Sequence, residues 1–165
     1  MLVRVAAAFW AATIIALAFF PLPLPPYETS LEAFGDYRGW PYPWVSPIPF
    51  ETITSSIGLG FEWPAARYLL GNVAAFAPLG VLAPLLRPGL DSWGRMVIVA
   101  LAVSLSIELA QLGVSLRVGF AYRVADVDDV ILNSLGVLAG YTALRFARSR
   151  LRSGRRALGR ESDRV

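Results

Sequence analysis

Arg123-Val-Ala-Asp126-Val-Asp128-Asp129-Val-Ile-Leu-Asn133-Ser-Leu-Gly136-Val-Leu-Ala-Gly140 is the stretch whose reading decides the fold. It opens as a charge cluster and runs without a break into apolar sequence. Asp126, Asp129, Asn133, Gly136 and Gly140 follow one another at spacings of 3, 4, 3 and 4, which on a helix brings all five to one face. Val130, Ile131, Leu132, Leu135, Val137 and Leu138 occupy the remaining faces. An oily back with a polar and then small-residue front suits a helix in a membrane bundle, its front turned inward.

Composition agrees. Of 165 residues, 56% are hydrophobic and 16% charged, against about 25% charged in an ordinary soluble domain. Mean hydropathy is +0.55. The apolar excess is gathered into long blocks, so the chain reads as one integral membrane domain. Cysteine and histidine are both absent, which excludes disulfides, thiol nucleophiles, an imidazole base and ordinary zinc sites. Any chemistry falls to carboxylates, arginine, amides and hydroxyls; no cofactor, metal or nucleic-acid partner is expected. All 15 basic residues are arginine.

The blocks predict an all-α, polytopic four-helix bundle with spans at about 5–20, 67–86, 95–113 and 127–147. The first follows Arg4 and could be read as a secretory signal. It ends in Phe19-Phe20-Pro21 with no small-residue cleavage site, so it is expected to stay as a membrane helix. A proline tract, 21–26, follows it. Residues 27–66 mix Trp40, Trp44, Trp63, Tyr37 and Tyr42 with Pro41, Pro43, Pro47 and Pro49, and carry five acids against Arg38. Such a loop belongs at the membrane interface. Residues 148–165 form an arginine-rich tail, expected to be disordered or to lie on anionic lipid.

Four spans leave both termini on one side, and arginine counts choose it. With cytoplasmic termini, eleven arginines lie inside (Arg4, Arg87, Arg95 and eight from Arg145 onward) and four outside: Arg38, Arg67, Arg117 and Arg123. The expected location is therefore the plasma membrane, with the aromatic loop and the Arg123–Asp129 cluster facing out. On that topology Asn72, Glu108 and Asn133 come from three different spans yet fall at one depth, roughly 7–9 Å below the outer surface at 1.5 Å rise per residue. Ser104 and Gln111 share the face of Glu108. A lone Glu108 in hydrocarbon needs a partner, and Arg123 is the expected one. Two readings of these polar groups stand side by side. They could cement the bundle, with Asp126 or Asp128 starting the last helix. They could instead form a ligand-facing site, since four carboxylates exceed what packing requires. Gly136 and Gly140 read as a small-residue packing pair.

Ser46-Pro-Ile-Pro-Phe-Glu-Thr-Ile53, Gly71-Asn72-Val-Ala-Ala-Phe76-Ala-Pro78-Leu-Gly80, Ser106-Ile-Glu108-Leu-Ala-Gln111 and the opening stretch resemble, in order, the successive signatures of the VanZ-like membrane proteins. The matching positions are Asn72, Pro78, Gly80, Glu108, Gln111, Arg123, Asp126, Asp128, Asp129, Asn133 and Gly136. The family takes its name from an accessory protein that lowers sensitivity to teicoplanin, a lipoglycopeptide acting on wall precursors outside the membrane. The resemblance implies a small bacterial four-helix membrane protein with its polar residues facing outward, and it carries over no catalytic residue to this chain. Three functions follow as expectations: an envelope protein binding an amphiphile, either a lipid-linked wall precursor or a lipid-tailed antibiotic; a membrane enzyme using the clustered carboxylates, with a divalent ion on Asp126, Asp128 and Asp129, on a lipid phosphate or glycan; or a partner-binding module working through its tail. The first is favoured.

Overall fold

The computed structural model describes residues 1–20, 44–58, 63–119 and 121–162. The proline tract and the aromatic loop up to Pro43, with residues 59–62, lie outside the described residues. Helix α1 spans Leu2–Phe19; strand β1, Val45–Ser46, leads to helix α2, Glu51–Gly58. Helix α3 covers Trp63–Leu86, and a 3-10 turn at Pro88–Leu90 joins it to α4, Trp93–Val118. Strand β2, Ala125–Asp126, then runs directly into α5, Val127–Ser162. Among the described residues four helices are long and apolar enough to cross a membrane: Leu2–Phe19, Ala65–Leu86, Trp93–Val118 and Val127–Ser153. The protein is an all-α polytopic membrane bundle.

Two boundaries differ from the sequence expectation. The third span was expected to close at Gly113, but α4 continues to Val118 and stops at Gly119. Gly119 takes the left-handed conformation (φ 84°) that glycine tolerates, and its N–H closes on the Ser115 carbonyl at 3.0 Å. The basic segment from 148 on, expected to be disordered or to lie on anionic lipid, prolongs α5 as helix to Ser162. No proline follows Pro88, and Ala, Leu and Arg are strong helix formers, so nothing in the sequence breaks the helix at the membrane edge.

α3 and α5 form the closest pair and run parallel. Gly136 abuts the Val73 backbone, Gly140 the Ala77 backbone, and Gly80 the backbones of Val137 and Tyr141. A Cβ at any of the three would sit inside contact distance of a carbonyl oxygen on the other helix; at Gly80 it would also lie 2.6 Å from the Tyr141 nitrogen. Small residues allow that approach, and membrane helices gain packing energy from it. Around this seam the core gathers Phe76, Ala83, Met96, Ala100, Val137 and Tyr141, with Ile14 from α1.

α1 and α4 run opposite to the seam helices, and α1 is attached differently. Ile14 is its one buried residue. Trp10 packs edge-on against Phe76 (centroids 6.3 Å apart, 82° between planes), and its indole N–H donates to the Ala75 carbonyl at 2.7 Å. At the end of α1 the last carbonyls have no intrahelical partner and must find one elsewhere. The Phe20 N–H serves Ala16 at 2.8 Å, Gln111 donates to Ala18 at 3.0 Å, and the Tyr122 hydroxyl donates to Phe19. Arg123 donates to Phe20 at 3.2 Å, with Leu17 at 3.4 Å. Polar side chains thus hold the one helix that packing leaves loose.

Candidate functional site

The acidic cluster divides into two halves with different neighbours. The first half is tied to the segment 44–58. Asp128 is fully buried; its carboxylate accepts the Phe50 N–H at 2.5 Å and the Ile53 N–H at 3.0 Å. These are two of the donors that the start of α2 leaves without helical partners. A carboxylate 75–78 residues away therefore does what a local capping residue does elsewhere. It also fixes Phe50 at φ 67°, a conformation that costs a bulky residue about 1–2 kcal/mol. Asp126 caps α5, accepting the Asp128 N–H at 2.8 Å, while its second oxygen accepts the Thr52 hydroxyl at 2.6 Å. β1 and β2 pair in parallel beside these contacts, Val45 with Ala125 and Ser46 with Asp126.

The second half faces a cleft. Arg67, Tyr68 and Asn72 from α3 line it, as do Glu108 and Gln111 from α4, Asp129 and Asn133 from α5, Arg123, and the end of α1. Its volume is about 250 Å³. The cleft lies at the end of the bundle where α1 and α4 finish and α3 and α5 begin. Asn72 donates to Asp129 at 2.6 Å. Glu108 accepts the Asp126 backbone N–H at 3.0 Å, which links the two halves. Asn133 is 97% buried (3% exposed); it donates to the Ser104 hydroxyl at 3.1 Å, and its Oδ1 has no partner among the described residues. The Arg123 Nε–H is likewise buried without an acceptor among the described residues.

Of the eight polar residues singled out in the sequence, Asn72, Glu108, Gln111, Arg123, Asp129 and Asn133 line this one cleft, whereas Asp126 and Asp128 do not. Arg123 was expected to pair with Glu108. It turns instead to the α1 carbonyls and lies over the Tyr122 ring at 6.0 Å. The physical reason is competition. The exposed carbonyl end of a helix carries partial negative charge and several free acceptors, and Glu108 already holds a backbone N–H. Among the described residues the ion pairs within 4.0 Å are those of Asp91 with Arg145 and Arg148. The metal arrangement considered for Asp126, Asp128 and Asp129 is not formed: among the described residues no three acids converge as ligands.

Several participants were not singled out from sequence. Ser115 accepts the Arg123 N–H at 3.2 Å and donates to the Arg123 carbonyl at 2.8 Å, setting the turn that aims this arginine. Continuing the stripe Ser104, Glu108, Gln111 by one further step of four reaches it. Thr52 sits inside a quoted motif, but nothing local marks it as a partner of Asp126. Arg67 and Tyr68 precede Asn72 by one helical turn and a little more, and that spacing was the available signal.

Comparison with known proteins bears on this arrangement. The model of the VanZ/LLP1 family matches residues 7–148, which takes in most of each of the four spans, the capped segment and every residue of the cleft. The chain belongs to the VanZ/LLP1 family. No curated protein and no solved structure matches it. In this VanZ/LLP1 protein the motif from Ser46 to Ile53 is therefore the segment clamped by Asp126 and Asp128, and the motif around Asn72 is one wall of the cleft.

At the far end of the bundle lies a second polar group. Asp91 accepts the Tyr141 hydroxyl at 2.8 Å and Arg148 at 2.7 Å. Tyr141 stacks edge-on with Trp93, centroids 4.8 Å apart. The Tyr141 hydroxyl foremost, helped by the Arg148 and Arg145 guanidiniums, holds the Asp91 carboxyl below the usual carboxylate range.

Proposed function

We propose that this protein is a non-enzymatic envelope protein of the bacterial plasma membrane that binds the polar head of an amphiphile in the cleft. The observation that carries the reading is the cleft itself. It joins two arginines, two carboxylates and three carboxamides between four membrane helices, and Asn133 Oδ1 and Arg123 Nε lack partners among the described residues. Buried polar atoms are nearly always satisfied, so an acceptor and a donor without partners on residues that line the cleft suit a polar guest. The ligand class is a lipid-linked wall precursor or a lipid-tailed glycopeptide, and a contribution to teicoplanin resistance would follow from capturing either one.

The arginine asymmetry supports an outward-facing cleft and cytoplasmic termini. The far end then meets the inner leaflet. There Arg145, Arg148 and Arg152 line a bay of about 710 Å³, which favours anionic lipid beside the tail. A cysteine replacing the exposed Ser55 should label with an impermeant reagent in intact cells, and one replacing Ser153 should not; the reverse would turn the cleft inward. For binding, the purified protein is presented in detergent with lipid II, the undecaprenyl pyrophosphate that carries the wall disaccharide and its hydroxyls, and bound lipid is read by native mass spectrometry. Binding should fall at least tenfold in Glu108→Gln and Asp129→Asn variants that keep the wild-type unfolding temperature. Unchanged binding in both would refute the assignment.

A further inference from the structure

The cleft has an apolar annex. On the side where α1 faces α4, a groove is lined by Trp10, Ala11, Ile14 and Ile15 of one helix and by Ala102, Val103, Ser106 and Ile107 of the other. Ile14 and Ile107 line both the groove and the cleft, so the two spaces adjoin. The walls differ sharply in chemistry. Ser106 supplies the only hydroxyl among the described residues that line the groove, and that hydroxyl is already donated to the Ala102 carbonyl at 2.6 Å, whereas the cleft holds the charged groups. Both helices belong to the membrane-spanning set, and Ile15 is 59% exposed. The groove therefore opens sideways onto hydrocarbon, not onto water.

We infer that the α1–α4 groove is the seat of a hydrocarbon chain whose phosphate-bearing head occupies the cleft, so that the ligand is taken up laterally from the bilayer. This rests on the head-group reading above and specifies its ligand. Two arguments choose the occupant. The first is size. At roughly 30 Å³ per water in the liquid, the cleft holds about eight waters' worth of space. That suits a phosphate and a small substituent; a glycan or peptide farther along the head would lie outside, over α2. The second is charge. Arg67 and Arg123 supply cationic donors for phosphate oxygens, and Asp129, Glu108 and the open Asn133 Oδ1 accept from hydroxyl or amine hydrogens on the same head. From Trp10 to Ile15 the groove extends ~8 Å along the helices at 1.5 Å per residue, enough to fix the head-proximal part of one chain. The looseness of α1, with Ile14 as its single buried residue, leaves this side of the bundle the one that can admit a chain.

The test reconstitutes the full chain in vesicles of phosphatidylethanolamine and phosphatidylglycerol containing a trace of phosphatidylglycerol with a diazirine in its acyl chain. After irradiation, adducts are mapped by peptide mass spectrometry. Adducts are expected on Ala11, Ile15, Ala102 and Ser106 at several times the level on Ile98 and Leu105, which face lipid elsewhere on α4. Ala11→Trp and Ser106→Trp, on opposite walls, should each lower groove adducts at least fivefold and reduce the lipid retained through detergent washing, while Leu105→Trp changes neither. Equal labelling of all lipid-facing positions, or unaltered retention in both groove variants, would overturn the inference. If Glu108→Gln and Asp129→Asn still abolish retention in that case, the head-group reading survives without the groove; if they do not, both fall. A variant with a lowered unfolding temperature is replaced by Ile15→Trp, which fills the same space from the exposed side of α1.

Discussion

The α3–α5 seam and the attachment of α1 solve the same problem, holding two membrane helices together, by opposite means. At the seam, glycine brings backbone against backbone and leaves no space. Along α1 a single buried isoleucine and one indole hydrogen bond suffice, and the helix end is tied by Gln111, Tyr122 and Arg123. Hydrocarbon drives neither association, because lipid tails solvate apolar side chains as well as other side chains do. What differs is tolerance. A close-packed seam has one arrangement, whereas a helix tied at one end by polar side chains can leave a groove along its length. The cleft lies on the loose side.

The largest effect is expected from breaking the seam. Gly140→Val should cost about 3 kcal/mol or more, since even its Cβ would overlap the Ala77 carbonyl and neither backbone can yield. Thermal unfolding in detergent measures it. The control, Leu101→Val on the exposed face of α4, should stay within about 0.5 kcal/mol. Equal effects would abolish the distinction drawn here.

Next comes the clamp. Asp128→Ala leaves the Phe50 and Ile53 N–H groups without acceptors and should cost about 2–3 kcal/mol. Hydrogen exchange should localise the loss to residues 44–58, with α3 and α5 still protected. Uniform loss of protection across the bundle would mean that Asp128 supports the core and not the segment.

A double-mutant cycle sharpens the account of α1. Arg123→Gln should loosen the end of α1 for about 1–2 kcal/mol. Combined with Glu108→Gln, its effect should add to within about 0.5 kcal/mol, because the two side chains serve different acceptors and donors. A coupling well above that would restore the ion pair between them.

The smallest effect concerns Asp91. Its folded pKa is depressed, so its stabilisation is present above the unfolded value of about 3.9 and is lost as pH falls through the folded value. Asp91→Asn should therefore be slightly less stable than the wild type at neutral pH, lack its low-pH slope and converge with it in acid. An unaltered slope would assign the acid transition to other carboxylates.

Chain order alone carried the spans, because twenty apolar residues in a row have few alternatives to a membrane helix. It carried the polar stripe as well, since 3- and 4-residue spacings make Asn72, Glu108 and Asn133 inward candidates on their own helices. Gly136 and Gly140 were readable as a small-residue pair, but Val73 and Ala77 as the backbones they meet were not. The two halves of the acidic cluster could not be told apart from sequence, because Asp126, Asp128 and Asp129 lie there within three positions of one another. Tertiary structure separates them. Asp128 meets Phe50 and Ile53, 78 and 75 residues away, Asp126 meets Thr52 at a separation of 74, and Asp129 meets Asn72 on another helix. Arg123 makes the same point. Its nearest inward acid, Glu108, looked like the natural partner, yet carbonyls 103 and 106 residues away take its donors. Local periodicity determines which face of a helix is polar, because that depends on 3.6 residues per turn and nothing else. Which of several equivalent acceptors a buried donor finally takes depends on where the other helices end, and only the assembled bundle decides that.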